Sequence, residues 1–172
     1  MFITLIAILQ AFSISLGVGS ATLAVVNFFA AIADGTIDVT ERRMIGIVYT
    51  VLRVATATLL VTTLVLVSLI FSTHGFAGFS PFIGAQLLTL TILLINSSLM
   101  SARLMTSTFG PAIQACSWYT LATLAALQSL QLTDFSFWQF ILGYISWIVL
   151  GVGVVNALMF IQKDKFNRSR NF

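Results

Sequence analysis

Residues 53–72 read RVATATLLVTTLVLVSLIFS, and no charged residue follows Arg53 in this stretch. At a rise of about 1.5 Å per residue, residues 54–72 form a helix of roughly 28 Å. The hydrocarbon core of a bilayer is about 30 Å thick. The stretch therefore predicts a helix that crosses a membrane.

Four further apolar runs resemble this one, and the whole chain is unusually apolar. Hydrophobic residues make up 59% of the 172 residues and charged residues 8%, against about 45–50% and about 25% in soluble domains. We expect an all-α integral membrane bundle of five transmembrane helices in a single domain, residues 1–172. The predicted spans are residues 2–32, 44–72 with the crossing at 54–72, 83–104, 111–130 and 137–161, followed by a basic tail at 162–172.

The basic residues predict the orientation of the bundle. The connections after spans two and four carry no Lys or Arg, whereas the other connections, the span ends beside them and the tail carry all eight: Arg42, Arg43, Arg53, Arg103, Lys163, Lys165, Arg168 and Arg170. Short loops rich in Lys and Arg stay on the cytoplasmic side. We therefore expect a multi-pass protein of the cell (inner or plasma) membrane, with its N-terminus outside and its C-terminus in the cytoplasm.

The net charge of +3 does not indicate nucleic acid as a partner. Half of the basic residues occupy the last ten positions, next to a predicted membrane face. Attraction to anionic lipid headgroups explains such a tail. The lipid bilayer is the expected partner.

The sequence offers no set of residues typical of an enzyme. The five acidic residues fall in connections or in the tail, at Asp34, Asp38, Glu41, Asp134 and Asp164, and there is one histidine and one cysteine. Paired carboxylates, a metal cluster and a nucleophile with a neighbouring base are therefore not expected. We predict no catalytic residue, no metal site and no cofactor.

Small residues on span one predict close helix packing. Ser13, Gly17 and Ala21 recur every four residues and so share one face of a helix. Such a face lets the backbone of a neighbouring helix approach closely. The Gly17-x-Gly19 spacing is interpreted in the same way, because it lies within a helix and not between a strand and a helix.

Arg53 is the first candidate for a functional residue, because a charge within a membrane is unfavourable and often functional. If the crossing begins near Met44, Arg53 lies about 14 Å inside the bilayer. If the crossing begins at Val54, Arg53 lies at the headgroups, and its long side chain can extend to the interface. The sequence leaves both placements open.

In the deeper placement, Arg53 would share a level with polar residues of the other spans. These candidate ligand-binding residues are Thr22, Asn27, Asn96, Tyr119, Thr120 and Asn156. Together they could form an anion-binding or substrate-polarising pocket. The alternative is that they hydrogen-bond between helices, as polar residues in membrane bundles commonly do.

The hairpin between spans one and two combines charged and apolar residues. Its candidate partner-binding residues are Phe28, Phe29, Ile37, Met44 and Ile47. If the helix ends project beyond the membrane, we expect these side chains to be shielded from water by the hairpin itself, by lipid headgroups or by another subunit.

Several short motifs resemble those of a group of small, functionally uncharacterised bacterial multi-span membrane proteins. They are Leu16-Gly17-Val18-Gly19-Ser20-Ala21-Thr22, Asp34-Gly35-Thr36-Ile37 with Glu41, Leu94-Ile95-Asn96 and Ser117-Trp118-Tyr119. Members of that group are similar to cytochrome-b or copper-resistance membrane domains, with histidines on the first and third spans. This chain has Gln10 and Ser101 where those histidines are sought, which puts a haem role in doubt.

Three hypotheses for function follow. The first is a non-enzymatic membrane protein that acts as a subunit, or as a homo-oligomer, within a membrane assembly. The second is a small-solute or anion transporter or channel with its polar site around Arg53. The third is a haem- or quinone-binding membrane protein.

Overall fold

The described residues form five long helices. A computed structural model describes residues 1–33, 39–102, 104–105 and 109–169, and of residues 31–33, 41 and 162–169 it describes the backbone alone. The helices are α1 (Phe2–Ala33), α2 (Val39–His74), α3 (Pro81–Ser101), α4 (Phe109–Ser129) and α5 (Phe137–Ser169), with a 3₁₀ turn at Gly75–Gly78. The described residues contain no strand, so the predicted all-α bundle is confirmed for them.

Local chemistry explains where α3 begins. Ser80 precedes the helix in an extended conformation, its hydroxyl accepts a hydrogen bond from the Ile83 amide at 3.3 Å, and Pro81 occupies the first helical position. Serine satisfies an exposed amide at this position, and proline has no amide to satisfy there. For these reasons the helix starts two residues before the predicted span, which began at residue 83.

Four of the five helices are long and apolar enough to cross a membrane. The qualifying segments are Phe2–Ala30, Arg42–Gly78, Pro81–Ser101 and Phe137–Ile161. Helix α4 falls outside this set because it carries Gln114, Ser117 and other polar residues. Among the described side chains, α4 also buries more residues than any other helix. Its neighbours therefore cover its surface, and it needs less apolar character of its own.

The core lies where α1, α2, α3 and α4 meet. Leu59 of α2, Leu93 of α3 and Trp118 of α4 are its largest apolar side chains with almost no exposure. The face predicted on α1 is confirmed, since Ser13, Gly17 and Ala21 are all buried. A Cβ atom at Gly17 would overlap the indole ring of Trp118, so glycine is what allows this ring to lie against α1.

Helix α5 contacts α4 through hydrogen bonds. The hydroxyls of Ser117 and Tyr144 lie 2.7 Å apart. The Trp147 indole donates to the Cys116 carbonyl at 3.2 Å. Most other α5 side chains are exposed. We call the contacts between α4 and α5, with the gaps between them, the α4–α5 seam.

Candidate functional site

Arg53 lines a cavity at the end of the bundle where α3 finishes and α4 begins. The cavity has a volume of about 270 Å³. Its lining residues are Tyr49, Leu52, Arg53, Ser97, Met100, Ser101 and Gln114. We call it the Arg53 cavity. Its described lining has one cation, three hydroxyl groups and one amide, and it has no carboxylate.

Asn96 lies directly behind this cavity. It is 2% exposed, and its side-chain amide donates to the Gln114 Oε1 atom at 3.0 Å and to the Gly110 carbonyl at 2.9 Å. Its Oδ1 atom is buried, and no described atom donates a hydrogen bond to it. Gln114 thus connects the cavity to a buried polar group that has hydrogen-bonding capacity left.

Close approach of α3 and α4 makes this network possible. A Cβ atom at Gly110 would come within 2.8 Å of the Met100 Cγ atom. Because Gly110 has no side chain, α4 begins close enough to α3 for the Asn96 amide to reach the Gly110 carbonyl. The predicted candidate Asn96 is therefore held by the backbone of the next helix.

Thr22 and Tyr119 pair with each other away from this cavity. Their hydroxyl oxygens lie 2.7 Å apart, and Tyr119 lines the cavities along the α4–α5 seam. Thr120 donates its hydroxyl hydrogen to the Cys116 carbonyl at 2.8 Å and lines one of the same cavities. These three candidates act as hydrogen-bonding groups within and between helices, and none of them lines the Arg53 cavity.

The two remaining candidates also lie apart from Arg53. Asn27 is half-buried on α1 and Asn156 is exposed on α5, and neither lines the Arg53 cavity. The predicted polar layer is therefore divided: Asn96 lies next to the Arg53 cavity, and the other five do not.

Of the lining residues of the Arg53 cavity, the predicted site contained Arg53 alone, and Gln114 is a missed residue for which the sequence contains a signal. Asn96 and Gln114 are each nine residues from Met105, and Met100 and Gly110 are each five residues from it. In an antiparallel helical hairpin, residues at equal distances from the turn lie at the same level. A short connection centred on Met105 would therefore have indicated that Asn96 lies beside Gln114 and Met100 beside Gly110.

The candidate partner-binding residues differ in their exposure. Phe28 and Phe29 are half-buried, with ring centroids 5.8 Å apart in an edge-to-face arrangement. Met44 and Ile47 are 52% and 58% exposed. Ile37 lies outside the described residues.

No group of three His, Cys, Asp or Glu side chains comes together in the part of the chain that the structure describes. Cys116 is buried and is not in a disulfide. The chemistry of the Arg53 cavity is therefore that of hydrogen bonding and one positive charge. Comparison of the chain with protein-family models, with curated proteins and with solved structures found no match.

Proposed function

We propose that this protein is a non-enzymatic integral membrane protein that crosses the cell (inner or plasma) membrane five times and acts as a subunit, or as a self-associating component, of a membrane assembly. Four helices have the length and apolar character for a crossing. Helix α4 is counted as the fifth crossing because it has 21 residues, the same number as α3. A helix of 21 residues is about 31 Å long. Its neighbours bury two of its polar side chains, Gln114 and Ser117.

The basic residues support an N-terminus outside and a C-terminus in the cytoplasm. In an antiparallel bundle the α1–α2 connection, the α3–α4 connection and the C-terminus share one end. All Lys and Arg residues of the sequence belong to this end, and such residues favour the cytoplasmic side.

Two relations support a position of Arg53 near the headgroups. Arg53 is 21 residues before His74, the last residue of α2, and this separation is about 31 Å, close to one hydrocarbon thickness. Arg53 also shares its cavity with Ser97 and Ser101, which belong to the last two turns of α3. A position about 14 Å inside the bilayer would leave the outer part of α2 beyond the membrane.

The observation that carries the proposal is the apolar surface of α2 beyond Arg53. We call residues 39–52 the stem. Val39, Met44 and Ile47 of the stem are all more than half exposed. With Arg53 at the headgroups, these side chains lie outside the hydrocarbon core, where exposed apolar surface is typical of a protein interface. A second subunit on the stem would remove them from water.

Cross-linking tests this proposal. An Ile47→Cys variant adds a thiol on the stem, and the native Cys116 is buried. With a short reagent that has one thiol-reactive end and one photoreactive end, in native membranes, we expect a cross-linked product of fixed mass, either two copies of this chain or this chain with one other protein. The matched control is Leu64→Cys, because Leu64 is 54% exposed on the same helix but within the crossing.

A second measurement tests the apolar character of the contact. Particles extracted in mild detergent should contain more than one chain, and the double substitution Met44→Ser and Ile47→Ser should reduce them to single chains, whereas Leu64→Ser should not. A wild-type particle that contains one chain and no stoichiometric partner would contradict the proposal.

Anion transport is the second candidate, and the Arg53 cavity favours it. A guanidinium with hydroxyl and amide donors suits an anion, and the described lining contains no carboxylate to oppose it. In proteoliposomes loaded with phosphate or chloride, Arg53→Gln should abolish flux, and Arg42→Gln, on the exposed stem, should preserve it. Unchanged flux in Arg53→Gln would exclude this role for Arg53.

A further inference from the structure

A second polar cavity lies at the opposite end of the bundle from Arg53. Its volume is about 280 Å³, and residues of α1, α2, α3, α4 and both connections at this end contribute to it. The polar lining residues are Gln10, Thr63, Ser80, Gln86, Gln128 and Thr133. We call it the glutamine cavity.

The glutamine side chains are joined in two separate pairs. Gln10 donates through Nε2 to the Thr63 hydroxyl at 3.2 Å, and Gln86 donates through Nε2 to the Gln128 Oε1 atom at 3.4 Å. Each amide side chain has two donor hydrogens and an acceptor oxygen. The two hydrogen bonds therefore leave both donors and acceptors of these amides for a ligand.

The rest of the lining is apolar and uncharged. Val67 and Ile70 of α2 and the buried Phe82 of α3 contribute apolar surface to the lining. No described lining residue carries a charge. An ion would have to leave water without an opposite charge to receive it, which is strongly unfavourable. An uncharged molecule with one polar end and one apolar body suits this surface.

The cavity extends from the connections into the bundle. Ser80 precedes α3 and Thr133 lies between α4 and α5. Thr63 is 11 residues before the end of α2, or about 16 Å from it. A ligand can therefore enter at the connections and lie along the axes of the helices.

The volume limits the size of the ligand. An apolar cavity of about 150 Å³ holds one benzene molecule, so about 280 Å³ is enough for a body of two fused rings. Drug-sized ligands occupy pockets of about 300–1,000 Å³, so the ligand belongs below that range.

We propose that the glutamine cavity binds a small uncharged molecule, with a polar head that both donates and accepts hydrogen bonds to the glutamine amides and a flat apolar body of one or two rings. The proposal does not depend on the Arg53 cavity or on the stem contact. It also does not depend on the orientation of the bundle in the membrane.

Binding of two naphthalene derivatives tests the proposal. The probe 2-naphthamide has an uncharged amide head that complements a glutamine, and 2-naphthoate has the same rings with a negative charge. Each is measured by equilibrium dialysis against the protein in nanodiscs, with empty nanodiscs subtracted. We expect saturable binding of 2-naphthamide by the wild type and at least tenfold weaker binding of 2-naphthoate.

Substitutions locate the binding. Gln86→Leu removes one glutamine of the lining and should weaken 2-naphthamide binding at least tenfold. Thr91→Val, on the same helix but outside the lining, should leave binding unchanged. Val67→Phe keeps the lining apolar and adds a ring that takes up part of the cavity, so it should also weaken 2-naphthamide binding at least tenfold. If Gln86→Leu loses its helical circular dichroism, and so does not fold, the Val67→Phe variant tests the location of the binding site instead.

Three results would overturn the proposal. They are the absence of saturable 2-naphthamide binding, equal binding of 2-naphthoate, and unchanged binding in folded Gln86→Leu or Val67→Phe protein. None of these results would affect the proposal of a contact at the stem, which is tested separately by cross-linking.

Discussion

Residues 17–19 of α1 and residues 151–153 of α5 have the same sequence, Gly-Val-Gly, and lie against α4 on two sides. In both segments the first glycine meets a side chain of α4, and a Cβ atom on the second glycine would meet nothing within 4 Å. What differs is the neighbour. Gly17 meets the ring of Trp118, which is fully buried, whereas Gly151 meets a single sulfur atom.

This difference shows that α4 is held in two ways. On the α1 side, a rigid ring fills the space that glycine leaves, so shape determines the contact. On the α5 side, glycine leaves space for the single Sγ atom of a small side chain, Cys116, and the seam contains cavities lined by Tyr119 and Trp147. Hydrogen bonds between α4 and α5 carry more of the contact there. Closely packed interiors resist added volume, and loosely packed ones accept it.

The largest expected effect is that of removing the buried ring. Trp118→Ala leaves a cavity in the core, and we expect it to lower the free energy of unfolding by about 3 kcal/mol. Part of the loss is offset, because the Trp118 Nε1 atom is buried with no described hydrogen-bond partner. Trp147→Ala, in the seam, should cost about half as much, since Trp147 is 41% exposed and Thr120 also donates to the carbonyl that Trp147 bonds.

The measurement is an SDS titration of each variant, followed by far-ultraviolet circular dichroism. Equal decreases in the free energy of unfolding for Trp118→Ala and Trp147→Ala would contradict the distinction between a shape-determined side and a hydrogen-bonded side of α4.

The next effect is that of adding one methyl group on α1. Gly17→Ala must displace either the Trp118 ring or α1 itself, and we expect a loss of about 2 kcal/mol in the free energy of unfolding. Gly19→Ala is the matched control, because the added Cβ meets open space, and it should be neutral or stabilising by up to about 1 kcal/mol, since alanine favours a helix more than glycine does. A control that is as destabilising as Gly17→Ala would mean that backbone flexibility, and not the ring, explains the glycine.

The packing face of α1 was predictable from the sequence because small residues recur there at helical spacing. The division of the polar layer was not predictable in the same way. Residue spacing gives the level of Arg53, Asn96 and Tyr119 along their helices, but not the direction in which each side chain points. A helix that is apolar on all sides has no polar face to reveal its rotation, so the sequence could not separate Tyr119, in the seam, from Asn96, beside the Arg53 cavity.

On the α5 side, the corresponding methyl group should matter less. Gly151→Ala requires only the Cys116 thiol to move, and we expect a loss of about 1 kcal/mol, at the lower end for added volume in a core. Gly153→Ala should again be neutral or slightly stabilising, because its added Cβ meets nothing within 4 Å and alanine favours a helix. Reaction of Cys116 with a thiol-specific dye during heating gives the melting temperature, since this thiol is buried in the folded protein. A Gly151→Ala variant that melts as low as Gly17→Ala would show that the seam is as rigid as the core.

The smallest expected effect is that of one hydrogen bond across the seam. Ser117→Ala, Tyr144→Phe and the double substitution form a cycle around the 2.7 Å contact between the two hydroxyls. We expect a coupling energy of about 0.6 kcal/mol, the average found for hydrogen bonds between membrane helices. Ser117 also bonds the Ile113 carbonyl at 2.8 Å, so its single substitution should cost more than that of Tyr144. A coupling energy of zero in the SDS titration would mean that the seam is held by packing after all, and that the two sides of α4 differ in tightness alone.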